Sequence, residues 1–245
     1  MSVEFAGFFV YNASEKWKGY SMMKRNELVS ALVRSLIGFL MMGALLFIPA
    51  GTLAYWQAWL LLGLLFVPML IAGLVLMKKD PALLHKRLQH NETQYRQKQV
   101  IVLSALMFMA AFIAAGLNYR HGWIVLPDVI SWAGAVLLLA AYGLYAEVMR
   151  ENAWLSRTVE VQEHQKVVDT GLYGVVRHPM YTSTLFLFLS MPLVLGSVIS
   201  FAIMLLYIPI IVIRIRNEED VLEAGLEGYA EYKERVRYKL LPHIY

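Results

Sequence analysis

Residues 181–213 read YTSTLFLFLSMPLVLGSVISFAIMLLYIPIIVI, a stretch without a single charged side chain. A helix rises about 1.5 Å per residue, so about 20 apolar residues cross the hydrocarbon core of a bilayer and about 17 set the lower limit. The stretch is too long for one crossing. Pro192 and the G-S-V-I-S segment at 196–200 interrupt it, which predicts two helices joined by a tight turn. A hairpin of apolar helices therefore anchors the reading of the whole chain.

Working toward the N-terminus, four more apolar runs have membrane length: Leu36–Thr52, Tyr55–Met77, Val100–Leu117 and Val129–Met149. The second is entered through Tyr55, Trp56 and Trp59, residue types that favour a membrane interface. Composition agrees. The 245-residue chain is 59% hydrophobic and 16% charged, with a mean hydropathy of +0.54, whereas soluble domains carry about 25% charged residues. The predicted fold is all-α: a polytopic integral membrane protein of about six crossings, ending in the hairpin and a cytoplasmic C-terminal helix. Residues 1–30 read as an N-terminal tail, 31–149 as a four-helix transmembrane region and 150–245 as a third, more polar part. No signal peptide is expected from the short F-A-G-F-F-V-Y run at 5–11, and Met22 or Met23 reads as an alternative start.

Charge orients the crossings. Every Lys and Arg except Arg120 falls before the first run or in its first turn, between runs two and three, between four and five, or after six. Cations favour the cytoplasmic side of short loops, so both termini are expected in the cytoplasm, and the pattern suits a bacterial inner membrane. The apolar runs hold almost no ionisable groups, which argues against an ion-coupled transporter. The net charge of +4 is small and spread over several loops, so nucleic acid is not expected as a partner. The chain has no cysteine, which excludes disulfides and thiolate chemistry. His85 and His90 are five apart, and His121, His164 and His243 are isolated, so no metal set is expected. No G-x-G-x-x-G or P-loop is present.

Polar chemistry then concentrates in two places. Before the hairpin lies T-G-L-Y-G-V-V-R-H-P-M-Y (170–181), in which Gly171 and Gly174 flank Tyr173 and Pro179 suits the first turn of a helix. After it, Arg214 and Glu218 are four apart and share a helix face, with Glu219 adjacent. The segment G-Y-A-E-Y-K-E-R-V-R-Y (228–238) reads as an amphipathic helix with Tyr229, Tyr232 and Val236 inward. Each element alone has a plain structural explanation: a capped helix with interfacial Arg and Tyr, a surface ion pair worth under about 1 kcal/mol, a helix lying on the membrane.

Together these elements resemble the isoprenylcysteine carboxyl methyltransferase family over roughly residues 150–245. The resemblance implies a membrane methyltransferase that uses S-adenosylmethionine. By that resemblance Gln165, Lys166, Val167, Val168, Tyr173, His178, Pro179, Met180, Tyr181 and Glu218 line the cofactor, and Arg214 holds the acceptor. Arg214, Glu218 and His178 are the expected catalytic residues, with Glu218 or His178 the candidate base for an amine acceptor. Residues 31–149 then shape the acceptor side. A lipophilic or prenylated substrate is expected to arrive from the bilayer, among membrane lipids, with no metal and no nucleic acid. The chain departs from the family's usual pattern at Leu172, where Pro is common, and at Ser183, where Gly is common. Two alternatives carry related motifs or chemistry: an NADPH-dependent reductase of the sterol-reductase type, and a phospholipid amine N-methyltransferase. A non-catalytic membrane scaffold is the third.

Overall fold

The computed structural model describes residues 25–79, 95–152, 154–155, 161–162 and 164–245. The tail before residue 25 and the loop carrying His85 and His90 lie outside the described residues. Among the described residues, eight α-helices follow in order: α1 (Arg25–Ala50), α2 (Trp56–Lys79), α3 (Tyr95–His121), α4 (Asp128–Glu151), α5 (Pro179–Val194), α6 (Val198–Met204), α7 (Tyr207–Gly225) and α8 (Tyr229–Arg235), with a short 3-10 turn at Gly171–Gly174. Among the described residues there is no strand, only an isolated antiparallel bridge between Val125 and Ser197. The protein is all-α and polytopic. Five stretches of the described residues are long and apolar enough to cross a membrane: Leu32–Ala50, Trp56–Val75, Gln99–His121, Asp128–Glu151 and Val198–Gly225, the last made of α6 and α7 together.

The hairpin differs from its expectation in both arms, the second being broken at Leu205–Leu206 between α6 and α7. Its first arm, α5, has 16 residues, about 24 Å of helix and just short of the crossing limit. It is also the most enclosed helix of the bundle, with ten buried residues including Tyr181, Leu185, Leu187, Met191 and Val194. A helix apolar all round belongs inside a bundle. Its two buried serines are satisfied locally: Ser183 donates to the Met180 carbonyl at 2.7 Å and Ser190 to that of Leu187 at 2.7 Å.

Loops from three hairpins meet at one end of the bundle. The Tyr55 hydroxyl donates to the Leu195 carbonyl at 2.6 Å, Leu126 N–H to Gly196 at 2.9 Å, and the Tyr119 hydroxyl to Ala54 at 3.4 Å. The chain therefore alternates direction at each long element, and the ends of α4 and α7 lie with the start of α5 at the opposite end. Small residues let the helices close. A Cβ on Gly134 would stand 2.8 Å from the Val194 nitrogen, and one on Gly116 would stand 2.5 Å from the Leu46 oxygen. The main apolar cluster joins α1 to α4 with α5, from Leu46 and Leu61 through Leu138 to Met191 and Val194. A second joins α3, α5 and α7.

Candidate functional site

At the end of the bundle where α5 starts, Gly171 turns the chain with a φ of +53°. The turn is closed by Leu172 N–H donating to the Glu151 carboxylate at 2.9 Å. A Cβ at Gly171 would meet that carboxylate at 1.8 Å, so a side chain there would push Glu151 off the Leu172 amide as well as strain the positive φ. The turn delivers Tyr173 to the interior, where its carbonyl accepts from the Tyr232 hydroxyl at 2.8 Å. Burial holds the Tyr232 phenol well above its ordinary pKa, so it remains a donor.

The Arg-His-Pro sequence that follows is locked to the chain's C-terminal segment. Arg177 N–H donates to the Tyr238 carbonyl and His178 N–H to that of Lys239, both at 2.9 Å, and Thr182 donates to Leu240 at 2.7 Å. Side chains repeat the pattern around Glu219, which is 4% exposed. Its Oε1 accepts from Arg177 Nε at 2.7 Å and from His178 Nε2 at 3.1 Å, and its Oε2 pairs with Lys239 Nζ at 2.6 Å. Arg177 Nη1 donates to the carbonyls of Val236 and Arg237, at 2.7 and 2.8 Å. A buried charge is tolerated only when paired and hydrogen-bonded, and this cluster meets that condition. Glu219 thus has both oxygens engaged, so the adjacent glutamates have separate surroundings. Because a carboxylate only accepts, His178 Nε2 is the donor in its bond. Pro179 then opens α5 at its first position, buried.

One helical step further, the Tyr181 hydroxyl joins the two residues of the post-hairpin helix. It accepts from Arg214 Nε at 2.9 Å and donates to Glu218 Oε2. Arg214 also stands over the Tyr181 ring, 5.7 Å from its centroid. The i,i+4 pair of α7 is therefore bridged by a phenol from α5 and partly withdrawn from solvent, unlike a surface ion pair.

These groups line one cavity of about 830 Å³, part of it continuous with solvent. Its wall includes Gln165, Lys166, Val167, Val168, Tyr173, His178, Met180, Tyr181, Arg214 and Glu218. Of the residues expected from sequence, Pro179 is not on the wall; its part is to start the helix that carries its neighbours. The cavity also takes in residues not foreseen as lining: Asn152, Trp154, Leu155, Arg177, Leu222, Leu226, Tyr229 and Tyr232. The Y-x-x-Y spacing of Tyr229 and Tyr232 was the available signal, since it set both inward on one short helix. Glu219 and Lys239 could be paired with Arg177 only in three dimensions.

Five aromatic side chains (Trp154, Tyr173, Tyr181, Tyr229 and Tyr232) and the Glu218 carboxylate share this wall. Aromatic faces and a carboxylate attract a cationic centre, while Arg214 at the same cavity suits an anionic or polar group.

No curated protein matches the chain. Residues 129–227 match the family model of the phospholipid methyltransferases, a stretch that runs from the second residue of α4 to just beyond α7 and holds R-H-P-M-Y, Arg214 and Glu218. Over that stretch the chain is similar to phospholipid methyltransferases, which supports a membrane methyltransferase and does not single out the isoprenylcysteine enzymes.

Proposed function

We propose that the protein transfers a methyl group from S-adenosylmethionine to a lipophilic acceptor at one face of the membrane, the face that carries nearly all of its cations. The carrying observation is the single cavity at which segment 165–168, the R-H-P-M-Y element, Arg214 and Glu218 meet. Its lining fits the donor: aromatic faces and Glu218 suit a positive sulfur, and the buried Tyr229 hydroxyl has no hydrogen-bond partner among the described residues. When bound, S-adenosylmethionine supplies a methyl group on a sulfonium centre, activated for in-line displacement.

Such a displacement depends chiefly on alignment. Gln165, Lys166, Val167 and Val168 contribute one stretch of the lining, and Tyr173, Met180 and Tyr181 contribute a second wall segment. The Arg177–Glu219–Lys239 cluster holds the second segment to the C-terminal stretch of the chain. His178, whose Nε2–H is given to Glu219, serves to position that segment and not to remove a proton through that nitrogen. Arg214 presents a planar fork to an acceptor carboxylate, which is ionised at neutral pH and needs no base. A greasy acceptor of isoprenoid type reaches Arg214 from the bilayer along the hairpin.

A second acceptor, a phospholipid amine, is favoured by the family match. Arg214 then faces the phosphate, and Glu218, one turn away, takes the ammonium proton before transfer. Calorimetric titration of the detergent-solubilised protein with S-adenosylmethionine, S-adenosylhomocysteine and NADPH tests the donor. Binding of NADPH without S-adenosylmethionine would overturn the reading in favour of a reductase. A labelled-methyl screen with prenylated carboxylates and with phosphatidylethanolamine then separates the two acceptors.

A further inference from the structure

Tyr229 is 4% exposed, lies on the cavity wall, and its hydroxyl has no hydrogen-bond partner among the described residues. Leaving a buried hydroxyl unpaired is costly, and the nearby groups explain why none pairs with it here. Glu219 already takes three contacts, from Arg177, His178 and Lys239, and Glu218 Oε2 takes the Tyr181 hydroxyl. The partner phenol, Tyr232, one turn on, is engaged with Tyr173. Burial, and next the neighbouring Glu219 and Glu218 carboxylates, push the Tyr229 phenol well above its ordinary pKa. It therefore stays protonated and stands ready as a donor.

We infer that the Tyr229 hydroxyl is a ligand-binding group of this cavity and donates to a neutral acceptor atom on the nucleoside part of the methyl donor, resting here on the methyltransferase reading above. Two features select the nucleoside. The wall next to Tyr229 is apolar, formed by Val167, Leu222 and Leu226, which suits a planar heteroaromatic ring and not a charged amino-acid end. The two glutamates that act electrostatically on the phenol disfavour a ligand carboxylate beside it, which leaves a ring nitrogen or a sugar hydroxyl as the acceptor.

The test compares Tyr229→Phe and Tyr232→Phe with the unsubstituted full chain in detergent, by ligand-free thermal unfolding and by calorimetric binding. The ligands are S-adenosylmethionine, S-adenosylhomocysteine and methylthioadenosine, the last having the nucleoside without the amino-acid end. Tyr229→Phe should leave the ligand-free melting temperature unchanged or raised, because it removes an unpaired buried hydroxyl. It should weaken all three ligands by the same factor, about three- to ten-fold for one neutral hydrogen bond. Tyr232→Phe, which loses a made bond, should lower the melting temperature. Equal binding by Tyr229→Phe and the unsubstituted protein would overturn the inference, as would a fall in its melting temperature like that of Tyr232→Phe. Weakening of the first two ligands with methylthioadenosine unaffected would move the contact to the amino-acid end and overturn the nucleoside assignment. If the unsubstituted protein binds none of the three, the methyl-donor reading itself fails, and this inference with it.

Discussion

Glu219 and Glu218 are neighbours in sequence with different surroundings. Glu219 gathers Arg177, His178 and Lys239 in a nearly dry setting, whereas Glu218 lines the cavity beside Tyr181. Glu219→Ala should therefore be among the most destabilising single changes at this end of the bundle. It strands two buried partners, a cost of about 3–5 kcal/mol, measurable as a lower melting temperature in detergent without ligand. Lys239→Ala, removing a partly exposed partner, should cost about 1 kcal/mol or less. Arg214 behaves differently because its partner group is a phenol at the cavity. With a carboxylate acceptor, Arg214→Lys keeps the charge but loses the planar fork. It should raise KM and lower kcat/KM by about ten-fold or more, as expected for one charge-assisted hydrogen bond. Arg214→Ala should lose more, and steady-state kinetics on the best acceptor of the screen checks both. Arg214 and Glu218 were named through the family resemblance, since their spacing on one helix face alone reads as a surface ion pair. The buried cluster around Glu219 was not legible, because it depends on the segment 236–240 that folds back over Glu219, and no local pattern announces that return.

The decisive element is α5, which is short, buried and flanked by both apolar clusters. Its apolar content and the Pro179 start were readable, as was the turn after it. Its length was not, since a helix wrapped by others need not match the bilayer thickness that a lipid-exposed helix must. The break between α6 and α7 at Leu205–Leu206 was also missed, although Pro209 carries its cause. Proline at that position has no N–H for the Leu205 carbonyl four residues back, and its ring crowds that carbonyl. Closeness between α4 and α5 is set by Gly134, whose added Cβ would meet the backbone of Leu193 and Val194 at 2.8–3.0 Å. Backbone cannot swing aside as a side chain does. Gly134→Ala should cost about 1–3 kcal/mol through overpacking, and Gly134→Leu more. Gly143 on the same helix meets nothing within 4 Å, so Gly143→Ala should be neutral or slightly stabilising. Parallel thermal melts of these variants test whether close approach, and not helix propensity, governs α4.

At the scale of the molecule, alternating helix direction puts the loops after α1, α3 and α5 at one end and the candidate site at the other. Periodic apolar runs and the one-sided placement of cations were enough to anticipate this arrangement, because hydropathy and charge act over whole segments. They could not say which helices touch, because glycine contacts and loop hydrogen bonds decide that. The absence of cysteine gives a direct test of sidedness. Leu53 is 66% exposed in the loop between α1 and α2, and Glu231 is exposed on α8 near the site. Leu53→Cys and Glu231→Cys, made singly, should react with a membrane-impermeant maleimide from opposite sides of sealed vesicles. If the site faces the cytoplasm, as the cations at that end imply, intact cells should label only the Leu53→Cys protein, and inverted vesicles only the Glu231→Cys protein. Labelling of both from one side would contradict the antiparallel bundle, and a clean reversal would place the site on the outer face, where a cytosolic methyl donor could not reach it.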